Sequence, residues 1–265
     1  MAQFGAQIKS LTGIDSSNST IQTYLTQWLT DGHREIISVL PINKLEECTD
    51  TQILDSTTTQ FEYTASGNGR VMSVSRSDGT YNQICRKVNP SFSSRVQNPN
   101  DIMYYATNTD PVYYMKSSSL TVYPSPTNSE PAEVIFINLP SVSYSSESIE
   151  KFLNEAEYLV VNYASIKALS YLMNQISGDE LDLVTDFADA NNWLNTEEDS
   201  EMVSSRINVI SAQINDFTTK RRDKDTIYKW YKDQYSLLKQ DYAIGLKMLT
   251  TGTLSAEGGR GGAEA

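Results

Sequence analysis

Phe152-Leu153-Asn154-Glu155-Ala156-Glu157-Tyr158-Leu159-Val160-Val161-Asn162-Tyr163-Ala164-Ser165-Ile166-Lys167-Ala168-Leu169 decides the fold class. Phe152, Ala156, Leu159, Tyr163 and Ile166 recur at 4-3-4-3 spacing, which gathers them on one face of an α-helix. Leu153, Val160, Leu169 and Leu172 add apolar positions around that face, so the helix is expected to be buried on most sides. Ser148 and Lys151 bracket its expected start, and Ser177-Gly178 its stop. A second helix is expected from Asp179, with Leu181, Val184, Phe187 and Trp193 inward and acids outward. Val203, Ile207, Ile210, Ile214 and Phe217 then repeat the 4-3-4-3 pattern. The stripe resumes at Ile227, Tyr231, Tyr235, Leu238 and Tyr242. No proline breaks residues 200–250, which fits one bent helix or two in line.

Upstream the period changes from about 3.6 to 2. Gln60 to Thr64 and Arg70 to Arg76 alternate, and Ser77-Asp78-Gly79-Thr80 is a turn with the Asp-Gly pair that tolerates positive φ. Tyr81 to Val88 reads as the return strand. Ile102 to Ala106, Val112 to Met115, Ser119 to Tyr123 and Glu133 to Leu139 follow, punctuated by prolines. Short strands at close spacing predict a small antiparallel sheet, sandwich or open barrel. In the pairs Tyr104-Tyr105 and Tyr113-Tyr114, one ring is expected in the core and the other available to a neighbour. Residues 1–18 are polar and read as a loop or arm. Ser19 or Thr20 is the expected cap of a helix bearing Ile21, Leu25, Trp28, Ile36 and Val39, which Leu40-Pro41 ends. The predicted fold is therefore α+β, a helical bundle with an inserted antiparallel β domain. Its divisions are 1–45 (arm and first helix), 46–146 (β insertion), 147–250 (helical bundle) and 251–265 (a glycine-rich, flexible tail).

The net charge is −12, and residues 146–200, with 2 basic and 12 acidic groups, hold most of it. Such a segment repels free nucleic acid, attracts a basic partner, or is simply a solvated face. Cys48 and Cys85 match no paired-cysteine motif and are expected as buried free thiols. No apolar run reaches membrane length and no signal peptide is visible, so a soluble protein made in a reducing compartment is expected.

Little catalytic chemistry is legible. His33 is the single histidine, which excludes multi-histidine metal sites, and it reads as a surface or interface residue. No phosphate-cradling loop, nucleophile elbow or calcium loop is present. Neither a catalytic residue nor a cofactor is expected. Lys220, Arg221, Arg222 and Lys224 suit either contact with nucleic acid or an acidic partner, or a solvated helix turn balanced by Asp216, Asp223 and Asp225.

Val71 to Gly79, Asp110 to Met115, Leu120 to Pro126 and Phe152 to Leu169 together resemble virion structural proteins of tailed bacteriophages, in particular the head-to-tail adaptor (neck or connector) proteins. The long β insertion departs from the smallest all-helical adaptors. The resemblance implies a homo-oligomeric, usually twelve-fold ring that docks under the portal protein and receives the tail or neck proteins. Double-stranded DNA passes through it without specific binding, during genome ejection. It also implies a location at the head-tail interface of the virion, after synthesis in the host cytoplasm. On this reading Asp179, Glu180, Asp182, Asp186 and Asp189 face the channel. Tyr231, Tyr235, Tyr242, Met248 and Leu249 are candidates for partner binding, residues after about 245 gaining order on the portal. A tail-terminator or other neck component is the alternative, and a carboxylate-based hydrolase or a nucleic-acid-binding module are readings from other classes.

Overall fold

The computed structural model describes residues 2–62, 67–176 and 200–251. The fold is α+β. Helix α1 (Phe4–Thr12) and α2 (Ser19–Val39) lead through a short α3 (Ile42–Leu45) into the strands, and α5 (Glu157–Gln175) and α6 (Ser200–Thr251) follow them. A 3-10 turn (Pro90–Phe92) and the short α4 (Ser93–Val96) lie inside the β region.

The bundle is built around α5. Leu159, Val160, Val161, Ala164, Ser165, Ala168 and Leu169 are buried, so apolar groups surround the helix rather than marking one stripe. Two glycines let its neighbours come close. A Cβ on Gly32 of α2 would lie 2.8 Å from the Tyr163 ring. One on Gly245 of α6 would overlap Tyr158 Oη and reach within 2.5 Å of Leu159. Gly32, which interrupts the apolar stripe in the sequence, is thus the place where an α5 tyrosine enters.

Helix α5 begins at Glu157, after a 3-10 turn at Asn154–Ala156, and not near Ser148. Phe152 therefore reaches the core from a loop. Helical spacing extends past the helix because an irregular segment folded onto a core also buries its apolar residues. The buried Glu157 carboxylate accepts the Ile149 N–H at 2.7 Å and pins that loop. Asn18, one residue before the expected Ser19, caps α2 by accepting the Thr20 N–H at 2.8 Å. Val39 lies off the inner face and is exposed.

The N-terminal stretch is not an arm. Phe4–Thr12 is helical, Phe4, Ile8 and Ile14 are fully buried, and Gly13 closes the helix with φ 71°. Its few apolar groups look weak in sequence, but the Phe4 and Gly5 N–H groups bond the carbonyls of Ser146 and Tyr144, which ties the helix down.

Strands β1 (Thr49–Leu54), β2 (Gln60–Glu62), β3 (Asn68–Ser77), β4 (Asn82–Ile84), β5 (Arg86–Lys87), β6 (Val112–Lys116), β7 (Ser119–Tyr123) and β8 (Ala132–Asn138) form two sheets. Their orders are β1-β8-β3-β4 and β2-β7-β6-β5, antiparallel except for the short parallel β5–β6 pair. Leu54, Phe61, Val74, Leu120, Val122, Val134 and Phe136 fill the space between them. The predicted return strand is split at buried Cys85, where the chain leaves one sheet for the other. Arg76 is fully buried at the rim. Its five donors meet the Pro124, Ser77 and Ser125 carbonyls, Asn108 Oδ1 and Glu130 Oε2.

Two expectations about tyrosines are corrected. Ile102 to Ala106 is a turn, not a strand, because the Asp101 carboxylate accepts the Met103 and Tyr104 N–H groups, both at 3.2 Å. Tyr104 stacks on Phe92 at 4.4 Å. Tyr113 and Tyr114 do point to opposite faces of β6, but both faces are covered within the chain. Tyr113 packs on the inter-sheet core, and Tyr114 is buried beside Tyr123 under the segment holding Val88, Val96 and Ala106.

His33 is likewise not at the surface. Its ring is fully buried, lies 4.7 Å edge-on to Phe152, and neither nitrogen has a hydrogen-bond partner. Burial, then the nearby Arg34 charge, pushes its pKa down from 6.5 to about 4. The unfolded chain binds this proton near pH 6.5 and the folded one only near pH 4, so stability falls as pH drops through that window. The expected loss is about 3 kcal/mol, complete near pH 4, and absent in His33→Leu. Urea unfolding of both proteins at pH 7 and pH 4.5 measures it.

Candidate interaction surface

The candidate residues of known position lie on α6, a helix of 52 residues. At 1.5 Å per residue it is about 78 Å long, far longer than α5. Only its C-terminal part packs on α5, running antiparallel to it: Gly245 sits at Tyr158 and Leu159, and the Tyr242 ring lies 5.9 Å from Tyr163. The Tyr242 hydroxyl donates to Glu35 Oε1 at 3.1 Å, drawing in α2. Burial, and next the Glu35 charge, push the Tyr242 pKa well above the usual phenol range. It remains a neutral donor at any physiological pH.

Of the five residues suggested for partner binding, Leu249 is buried in the bundle core and Tyr242 is half-buried against α5. Tyr231 and Tyr235 are also half-buried, and Met248 is exposed. Toward the N-terminal end of α6, Ile210 is buried, while Ile207, Val209 and Ile214 are substantially exposed. Lys220, Arg221 and Arg222 are exposed, and Lys224 is half-buried. Successive residues turn 100° around a helix, which groups Lys220, Lys224 and Arg221 within about 100° and sets Arg222 apart from them. Lys220 is ion-paired with Asp216 at 2.7 Å. Asp179, Glu180, Asp182, Asp186 and Asp189 lie outside the described residues, as does the tail beyond Thr251.

Two exposed features escaped the reading of the sequence. One is a second apolar row on α6: Ile227, Trp230, Leu237, Ile244 and Met248. In the sequence Ile227 falls on the inner stripe and Met248 among the partner-binding candidates, while Trp230, Leu237 and Ile244 stand one position off that stripe. The other is the turn tip Ile102-Met103, 97 and 74 % exposed. The turn beneath the tip is held by side-chain contacts. Arg95 pairs with Asp101 at 2.5 Å, and its guanidinium lies 4.3 Å from the centre of the Tyr104 ring. The tip looked like strand because Ile, Met and Tyr are strand formers, and only the Asp101 bonds override that preference.

Catalytic equipment is sparse among the described residues. Burial raises the Cys85 thiol to about 12 and also raises Cys48, so both stay protonated. The carboxyl groups held off their ordinary values, Asp15, Asp55, Asp78 and Asp101, are all lowered by hydrogen bonds, the opposite of what a general acid needs. Among the described residues no group of three or more His, Cys, Asp or Glu side chains is placed to hold a metal ion. No described helix is long and apolar enough to cross a membrane. A groove of about 540 Å³ where α2 meets β8, lined by Ile37, Leu40, Leu45, Ile137 and Leu139 with Arg34 and Arg70 alongside, is mainly apolar. No protein-family model matches the chain, and neither does any curated protein.

The inner and outer rows of α6 differ in their consequence for stability. Leu238→Ala, at a buried site, is expected to cost about 2–4 kcal/mol. Leu237→Ala, one residue earlier and 55 % exposed, should cost under about 0.5 kcal/mol. Chemical unfolding of the two variants beside the parent measures the contrast.

Proposed function

We propose that this protein is a structural subunit of a tailed-phage virion: a head-to-tail adaptor that forms a ring between portal and tail, through which DNA passes. The observation that carries the reading is the exposed apolar surface on α6. A helix about 78 Å long keeps Ile227, Trp230, Leu237 and Ile244 at the surface along one side, and Ile207 and Ile214 along another. Large side chains of this kind in such number mark surfaces that other chains cover. The resemblance of the strand segments and of Phe152 to Leu169 to adaptor proteins gives that assembly its place in a virion. The protonated thiols, the buried neutral histidine and the lowered carboxyls favour a structural role over hydrolysis. The acids beside the α6 cations, Asp216 paired with Lys220 and Asp223 and Asp225 next to them in the chain, favour it over nucleic-acid binding.

Closed rings of identical subunits use heterologous contacts whose rotation closes. Electron cryo-microscopy of virions carrying this chain is expected to show a closed ring of it, usually of twelve copies, between portal and tail. A virion whose neck ring lacks this chain overturns the proposal.

A further inference from the structure

The C-terminal part of α6 carries two apolar rows, one position apart. The inner row is Tyr231, Tyr235, Leu238, Tyr242, Gly245 and Leu249, and it faces the bundle. Stepping each of these back by one gives Trp230, Gln234, Leu237, Asp241, Ile244 and Met248, and Ile227 continues that outer row at the same alternating spacing of three and four. Five of its seven members are large apolar groups, each between 38 and 55 % exposed. Three-and-four spacing sustained over about three heptads is the seam by which one helix receives another, and here Gln234 and Asp241 stand as polar positions within it. The chain's own α5 occupies the inner row only.

Asp241 indicates what belongs on the outer row. It stands among Leu237, Ile244 and Met248, and among the described residues no cation pairs with it. A helix laid over the row takes that carboxylate out of water, which is costly unless an opposite charge meets it. A second copy of α6 does not bring one. Packed parallel, it sets Asp241 against Asp241; packed antiparallel about the middle of the row, it sets Asp241 against Gln234.

We propose that the outer row of α6 is a docking site for an amphipathic helix of another protein, one with apolar residues at 3-4 spacing and a lysine or arginine that meets Asp241. Ile227, Trp230, Leu237, Ile244 and Met248 supply the buried area, and the Asp241 pair fixes register and rejects helices with an acid in that place. The inference shares the exposed α6 side chains with the adaptor reading, but peptide binding to the free chain tests this site alone and the neck ring of the virion tests the adaptor reading alone, so the two failures are distinguishable.

The test uses the full chain and two synthetic amphipathic helical peptides with leucine at 3-4 spacing, identical except for lysine or glutamate at the central seam position. Calorimetric titration is expected to show the lysine peptide binding at least about tenfold more tightly than the glutamate peptide. Asp241→Lys should reverse that order. Leu237→Asp should abolish binding of both while leaving the circular dichroism spectrum and thermal midpoint unchanged, because the position is exposed. Equal binding of the two peptides, no binding of either, or an unreversed preference in Asp241→Lys overturns the proposal. So does a self-associating chain whose dimer is dissolved by Leu237→Asp, which makes a second copy the occupant.

Discussion

The whole bundle depends on how closely α2 and α6 approach α5. Tyr158 and Tyr163 are too large to fit between helices that carry side chains at the facing positions, and Gly32 and Gly245 remove those side chains. Each contact is tight enough that a single methyl group has no room. Helix packing distance is set by the side chains at the crossing, so these two positions fix where α5 sits. With α5 in place, the Tyr242 hydroxyl reaches Glu35 on α2 and the three helices close into one core.

The β insertion is joined to that core through the period of a strand. Neighbouring side chains on a strand point to opposite faces, and in β8 the neighbours Phe136 and Ile137 enter different cores. Phe136 packs on Phe61 between the sheets, while Ile137 joins the bundle. The chain then lies along α2. Thr30 Oγ1 accepts the Val142 N–H at 3.0 Å, and Thr26 Oγ1 accepts the Tyr144 N–H at 3.4 Å. At the far rim Arg76 holds the loops together with every one of its donors matched, which a buried guanidinium requires.

Helix α6 is the element in which structural and interactive roles meet. Its inner row faces the bundle, and its outer row stays substantially exposed. The turn at Ile102-Met103 shows the same separation: Arg95, Asp101, Tyr104 and Phe92 make its base, and the two apolar side chains it carries have no role beneath them. Exposed apolar groups on well-ordered supports suit contact with other proteins better than chemistry on small molecules.

By itself the sequence determined the α+β class, the strand-rich block between two helical regions, and the two buried free thiols, because hydrophobic period is a local property that survives without knowledge of contacts. It left one bent helix or two in line open for 200–250, and the structure shows a single helix, Ser200–Thr251. Tertiary structure decided what period cannot express. It made a core helix of Phe4–Thr12, whose apolar groups are too few to announce it, and turned Ile102 to Ala106 from strand to turn through one carboxylate. It buried His33, a residue equally at home in water, because that face of α2 met Phe152. It also separated the two rows of α6. Adjacent apolar residues look alike in a sequence, and only the position of α5 decides which row is covered and which is left for another molecule.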